Sequence, residues 1–259
     1  MKKLLAAPRI HFIFLFFFLT AFVTSHAQLP GLLPDLQTVV PIHLQLQNQQ
    51  HREVIRFSNG IANTGQGELR LRAEFPVTDQ NQPQLAIQEI LDANRTKVYE
   101  AVVSQFQFHP EHNHWHINDV ALFEIRSGSP TGPVFGTVSV KVTFCLIDWY
   151  RIEGNAPTSE RIYWECNGDY QGLQPGWVDQ YHQSLEGQEL DITGAPAGLY
   201  YLVSTANPEN AFLESDYLNN VAWTSFILSR KSQGNPKIEI VGHSPCPSPG
   251  LCGENVPNR

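Results

Sequence analysis

Leu69-Arg70-Leu71-Arg72-Ala73-Glu74-Phe75 decides the fold of this chain. Apolar and charged residues alternate along it, the period of a β-strand with one buried and one wet face. The same period recurs on either side. Ile42, Leu44 and Leu46 alternate with His43, Gln45 and Gln47, and Val138, Val140, Val142, Phe144 and Leu146 alternate with Ser139, Lys141, Thr143 and Cys145. Shorter runs at 161–166, 188–192, 199–205, 221–228 and 237–241 also read as strands. No segment keeps a helical period, and turn dipeptides such as Asn59-Gly60 and Asn167-Gly168 punctuate the runs. The pattern predicts an all-β protein, an antiparallel β-sandwich with long loops at 147–160 and 167–187.

Residues 1–27 read as a secretory signal peptide. Lys2, Lys3 and Arg9 form a charged start, an apolar run follows from Ile10 to Val23, and Ser25-His26-Ala27 offers small residues for cleavage. Removing this segment leaves about 230 residues, enough for one β-rich domain with its own core. We assign that domain to 28–233, and residues 234–259 to a Pro- and Gly-rich tail lying over the domain surface. No later stretch approaches the roughly 20 apolar residues of a membrane span. Losing three cations takes the formal charge from −8 to −11. So acidic a surface argues against nucleic acid or anionic membrane as a partner and favours cationic substrates.

Four cysteines, Cys145, Cys166, Cys246 and Cys252, in an exported chain imply two disulfides with three possible pairings. Cys145–Cys166 with Cys246–Cys252 is the natural choice, because the second bond closes a Pro-rich loop. Asn94-Arg95-Thr96 is a glycosylation sequon for a source that glycosylates its exports.

The chemistry concentrates in His109-Pro110-Glu111-His112-Asn113-His114-Trp115-His116, which holds four of the ten histidines. In an extended segment His112, His114 and His116 point to one face, with same-face neighbours about 7 Å apart. Slight bending brings three imidazoles onto one ion, and imidazole suits copper, zinc, nickel or iron, with copper favoured by affinity. The plainer reading is a histidine-rich surface loop.

From this cluster outward the sequence resembles the lysyl oxidases. Val54-Ile55-Arg56-Phe57 and Asn63-Thr64-Gly65 resemble an early strand of that family, and His109-x-x-His112-x-His114-x-His116 its copper motif. Phe123-Glu124-Ile125 and Lys141-Val142-Thr143-Phe144-Cys145-Leu146 follow in the family's order. So do Gln171-Gly172-Leu173-Gln174-Pro175-Gly176, Asp179-Gln180-Tyr181, Leu190-Asp191-Ile192-Thr193 and Glu214-Ser215-Asp216-Tyr217-Leu218-Asn219-Asn220. The resemblance implies a copper amine oxidase in which His112, His114 and His116 hold Cu(2+). Lys141 and Tyr181 would join as lysine tyrosylquinone, and a primary amine or peptidyl lysine would be oxidised by O2 to an aldehyde. Hydrogen peroxide and ammonia would be the other products. Asp179 is the expected general base, or else a structural hydrogen-bond acceptor. His109 would orient a ligand or approach the cofactor.

The same resemblance implies a Ca(2+) site from Asp35, Leu36, Glu214, Asp216, Asn219 and Asn220, whose oxygens suit a hard cation. A polar turn is the alternative there. Glu111 stands where the animal enzymes carry a cysteine, so their collagen and elastin substrates do not carry over. Two other functions compete. One is an inert secreted copper-binding sandwich, and the other is a zinc hydrolase or metal oxygenase using the same histidines.

Overall fold

The structure is a computed structural model describing residues 29–49, 51–75, 80–136, 143–152, 160–230, 235–248, 250–255 and 257. The signal segment 1–27 and Lys141 lie outside the described residues. Among those described there are sixteen strands and no helix. The first eight are β1 (Leu36–Thr38), β2 (Ile42–Gln49), β3 (Arg52–Asn63), β4 (Leu69–Ala73), β5 (Gln84–Leu91), β6 (Lys97–His109), β7 (His114–Ile117) and β8 (Ala121–Ser127). The rest are β9 (Val134–Phe135), β10 (Tyr150–Arg151), β11 (Tyr170–Leu173), β12 (Trp177–Tyr181), β13 (Glu189–Asp191), β14 (Gly198–Ala206), β15 (Val221–Arg230) and β16 (Pro236–His243).

They form three antiparallel sheets in a sandwich-like arrangement. Strand β3 organises the first, because it is long enough to change partners along its length. Its first half pairs with β2 and β13, and its second half with β1 and β12, which in turn pairs with β10. The second sheet runs β11-β4-β5-β6-β7 and the third β16-β15-β14-β8-β9. Ion pairs staple strands across these sheets: Arg56 to Glu189 at 2.7 Å, Arg52 to Asp191 at 2.9 Å, and Arg230 to Glu53 at 2.7 Å.

The alternating stretch behaves as its pattern predicts, with Leu69, Leu71 and Ala73 buried and Arg70 and Arg72 half-buried. The main core links the sheets through aromatic rings. Phe57 meets Phe123 edge-on at 5.0 Å, Phe123 meets Phe144 at 6.1 Å, and Phe144 meets Tyr181 at 4.3 Å. Each such side chain stabilises the fold by about 1.5–3 kcal/mol through burial, and edge-to-face geometry adds about 0.5–1.5 kcal/mol. A second, smaller core gathers Val39, Ala62, Tyr150, Ile152, Val178 and Leu251 on the far side of β12.

Several sequence expectations are corrected. Phe75, expected as the last inward residue of its run, is exposed beyond the end of β4. Asn59-Gly60 is not a turn but lies within β3, where glycine is needed because a Cβ on Gly60 would sit 2.7 Å from Val178 Cγ1 of β12. Residues 161–166 form no strand. The amides of Ile162 and Tyr163 donate to the Asp148 carboxylate, and the Cys166 carbonyl accepts from Trp115, so the segment is held without a ladder.

The 138–146 run is described only from Thr143. There Phe144, Cys145 and Leu146 are all buried, and a single bridge joins Phe144 to Ile117. The expected loop at 167–187 contains β11 and β12, and the one at 147–160 contains β10, with 153–159 outside the described residues. In the tail, β16 adds to the edge of β15 and Leu251 packs into the second core, so the tail does more than lie over the surface.

Candidate metal centre

The four histidines sit on the hairpin formed by β6 and β7. His109 ends β6, residues 110–113 turn, and β7 returns with His109 opposite His114 and Gln107 opposite His116. Asn113 takes φ 55, a left-handed conformation that asparagine tolerates better than most residues. Only His114 and His116 therefore alternate in a strand. The expectation that His112 shares that extended run is corrected: it arrives from the turn, whose tight path needs the His112 amide to donate to the His109 carbonyl. Folding back, rather than bending, brings the rings together.

The geometry suits one ion. One ligand atom from each of His112, His114 and His116 lies within 4.8 Å of the others. Nε2 of His114 and Nε2 of His116 are 2.8 Å apart, close to the gap between two nitrogens each ~2.0 Å from a shared metal. His109 stacks on His116 with ring centroids 4.2 Å apart. The Nδ1 of His116, itself only 3% exposed, lies 3.1 Å from Thr143 Oγ1. On the opposite face of β7, Trp115 packs edge-on against Phe108 at 5.5 Å and anchors the hairpin to the core.

Three further contacts draw the centre together. Ile117 and Phe144 exchange backbone hydrogen bonds of 2.7 and 2.9 Å. The disulfides are Cys145–Cys166 and Cys246–Cys252, with the first in the wall of the site. Gln171, completely buried, donates from its amide to the Trp115 and Asn167 carbonyls and accepts from the Leu146 amide. In the sequence Gln171 stands out only as part of a motif.

Tyr181 closes β12 beside this wall. Its hydroxyl donates to the Cys145 carbonyl at 2.7 Å, and its ring stands edge-on to Phe144. Burial pushes the phenol well above its ordinary pKa, and the adjacent Asp179 carboxylate pushes it the same way. Asp179 is 2% exposed. A cavity of about 410 Å³ is lined by His112, His114, His116, Tyr181 and Asp179, with Glu186 among the remaining wall residues.

The oxygen-rich residues of the second predicted site also meet. Glu214 accepts from the Leu36 amide at 2.8 Å and from the side-chain amides of Asn207 and Asn220, while the Asn219 amide donates to Asp35. Burial raises the Glu214 pKa, against the lowering effect of those amides. The amide oxygens of Asn219 and Asn220 are buried without a partner. Asp216 is exposed, and its carboxylate accepts from the Leu218 amide.

The family model described as Lysyl oxidase matches residues 85–233, more than half of the chain. Lysyl oxidase homolog 1 of Homo sapiens is 33% identical over 116 residues, 45% of this chain and 19% of the relative. Protein-lysine 6-oxidase of Sus scrofa is 30% identical over 117 residues, 45% of this chain and 44% of the relative. Lysyl oxidase homolog 2A of Danio rerio is 29% identical over 175 residues, 67% of this chain and 19% of the relative. The matched stretch thus spans less than half the length of these relatives. The family-model match contains the histidine hairpin, the cysteine-bearing wall and the Tyr181 strand in one continuous run, and on that match the chain belongs to the lysyl oxidase family.

Proposed function

We propose that this chain is an exported copper-dependent amine oxidase acting on primary amines, free or as peptidyl lysine. The observation that carries the proposal is the meeting of three histidines and a buried tyrosine on one cavity of about 410 Å³. His112, His114 and His116 would hold Cu(2+), and Lys141 with Tyr181 would make lysine tyrosylquinone. With both in place the centre supplies a two-electron sink, so that amine, O2 and water become aldehyde, hydrogen peroxide and ammonia.

The chain's own residues do the rest. The Cys145 carbonyl fixes the direction of the Tyr181 hydroxyl, and the Cys145–Cys166 bond fixes that carbonyl. Asp179 lines the same cavity as Tyr181 and is the residue we assign as the base that would take the substrate's α-proton. Glu186 stands in the walls of this cavity and of a neighbouring one that also includes Glu111, and no lysine or arginine lines either among the described residues. An acidic approach of this kind favours an ammonium-bearing substrate.

Calcium binding by Asp35, Leu36, Glu214, Asp216, Asn219 and Asn220 belongs to the same proposal. It is supported by two buried amide oxygens that a hard cation would satisfy. Two disulfides suit an oxidising compartment, in keeping with export by residues 1–27. Among the described residues no helix is long and apolar enough to cross a membrane. We assign the oxidase domain to 28–233 and the tail to 234–259.

The test is aerobic copper loading of the exported protein followed by assay with a simple primary amine. Peroxide release that hydrazine-type carbonyl reagents block is the expected result. A fully copper-loaded protein that releases none would leave the inert copper-binding sandwich.

A further inference from the structure

We propose that Thr143 is a positioning residue for the copper centre, fixing which nitrogen of His116 faces the ion. The inference rests on the copper reading above and deepens it. His116 is the most enclosed of the three candidate ligands, and its two ring nitrogens face different groups. Nε2 lies 2.8 Å from His114 Nε2, while Nδ1 lies 3.1 Å from Thr143 Oγ1. A neutral imidazole carries one proton and one lone pair, so its second hydrogen bond decides its tautomer. A metal on Nε2 leaves the proton on Nδ1, where Thr143 Oγ1 is placed to accept it, and Nε2 is on the side where His112 and His114 converge. The hydroxyl thus holds the ring with Nε2 turned toward His112 and His114, and it accepts the Nδ1 proton once Nε2 carries a metal.

Both the hydroxyl and the ring it meets are held in place. The next residue, Phe144, exchanges two backbone hydrogen bonds with Ile117, the residue after His116, so the two segments run in fixed register. Cys145 is then tied to Cys166, whose carbonyl accepts from Trp115 on the other side of His116. Stacking of His109 against the His116 ring limits the ring's rotation. The β-branched threonine side chain has few rotamers, so the oxygen is aimed by its own stereochemistry. Thr143 is also two residues after Lys141, so the contact couples the metal strand to the segment bearing the proposed cofactor lysine.

The test compares wild type, Thr143→Val and Thr143→Ser on the full exported protein. Copper affinity is read by chelator competition and the ligand field by electron paramagnetic resonance, with circular dichroism and melting as checks on folding. Valine keeps the shape and removes the hydroxyl. Thr143→Val should lower copper affinity by about 10–100-fold and alter the copper spectrum, and Thr143→Ser should restore both. A residue that served only the fold would shift the melting temperature and leave the copper spectrum unchanged. A Thr143→Val protein with wild-type affinity and spectrum overturns the inference while leaving the copper reading intact. Failure of serine to restore the centre overturns it too. If wild type itself binds no copper through nitrogen, the reading beneath it falls as well.

Discussion

Phe144 is completely buried, stands edge-on to Tyr181 at 4.3 Å and to Phe123 at 6.1 Å, and bridges Ile117 through its backbone. Removing its ring leaves the bridge and empties the space between core and tyrosine. Phe144→Ala should cost about 3–5 kcal/mol of stability, read as a lower urea midpoint with unchanged slope, and a loss under about 1 kcal/mol would contradict this packing. At this scale much of the candidate site is legible in the sequence. Histidine is a ready metal donor, and four between His109 and His116 mark a candidate metal site. The route of His112 is not legible, because alternation describes a strand and says nothing of a turn that returns a side chain to the same place. Thr143 shows in the sequence only as sharing a face with Lys141. No local pattern reveals a hydroxyl meeting an imidazole 27 residues away.

Elements buried on one face are readable, and those buried on both are not. β4 alternates in sequence and in burial, whereas all five residues of β12 are buried, so the tyrosine strand carries no period and reads as loop. β13 is short but legible, and it is clamped to β3 by Arg52–Asp191 and Arg56–Glu189. Burial opposes ionisation of Asp191, but the Thr193 hydroxyl and amide and the Arg52 guanidinium outweigh it and hold the carboxyl below its ordinary value of 3.8. A depressed folded value means that the stabilisation is fully present above the unfolded pKa and is lost as pH falls through the folded one. Asp191→Asn should therefore be less stable than wild type at neutral pH, by a modest amount because the carboxylate is partly exposed. Unfolding curves at decreasing pH should show the gap closing below the ordinary carboxylate range. A gap unchanged in acid would assign the effect to something other than charge.

At the scale of the whole molecule, long-range contacts join distant parts of the chain. Leu36 at the start of β1 donates to Glu214, 178 residues later, and Asn219 reaches back to Asp35. If calcium occupies this junction, adding it should raise the melting temperature, by the equivalent of about 2.7 kcal/mol at a hundredfold excess over Kd. Asp216→Ala should remove that increment and leave copper binding intact, whereas a melting temperature indifferent to calcium would favour a plain polar junction. The family order of motifs is legible along the sequence, but their convergence depends on β12 and Gln171, which only the fold reveals. The proposed oxidase requires that Tyr181 and Lys141 become one cofactor beside copper. Peptide mapping after aerobic copper loading and full disulfide reduction tests it most directly. A single covalently joined species containing Lys141 and Tyr181 is expected, absent in Lys141→Ala and Tyr181→Phe proteins that still hold copper. Separate, unmodified peptides from a protein that turns over amines would contradict it.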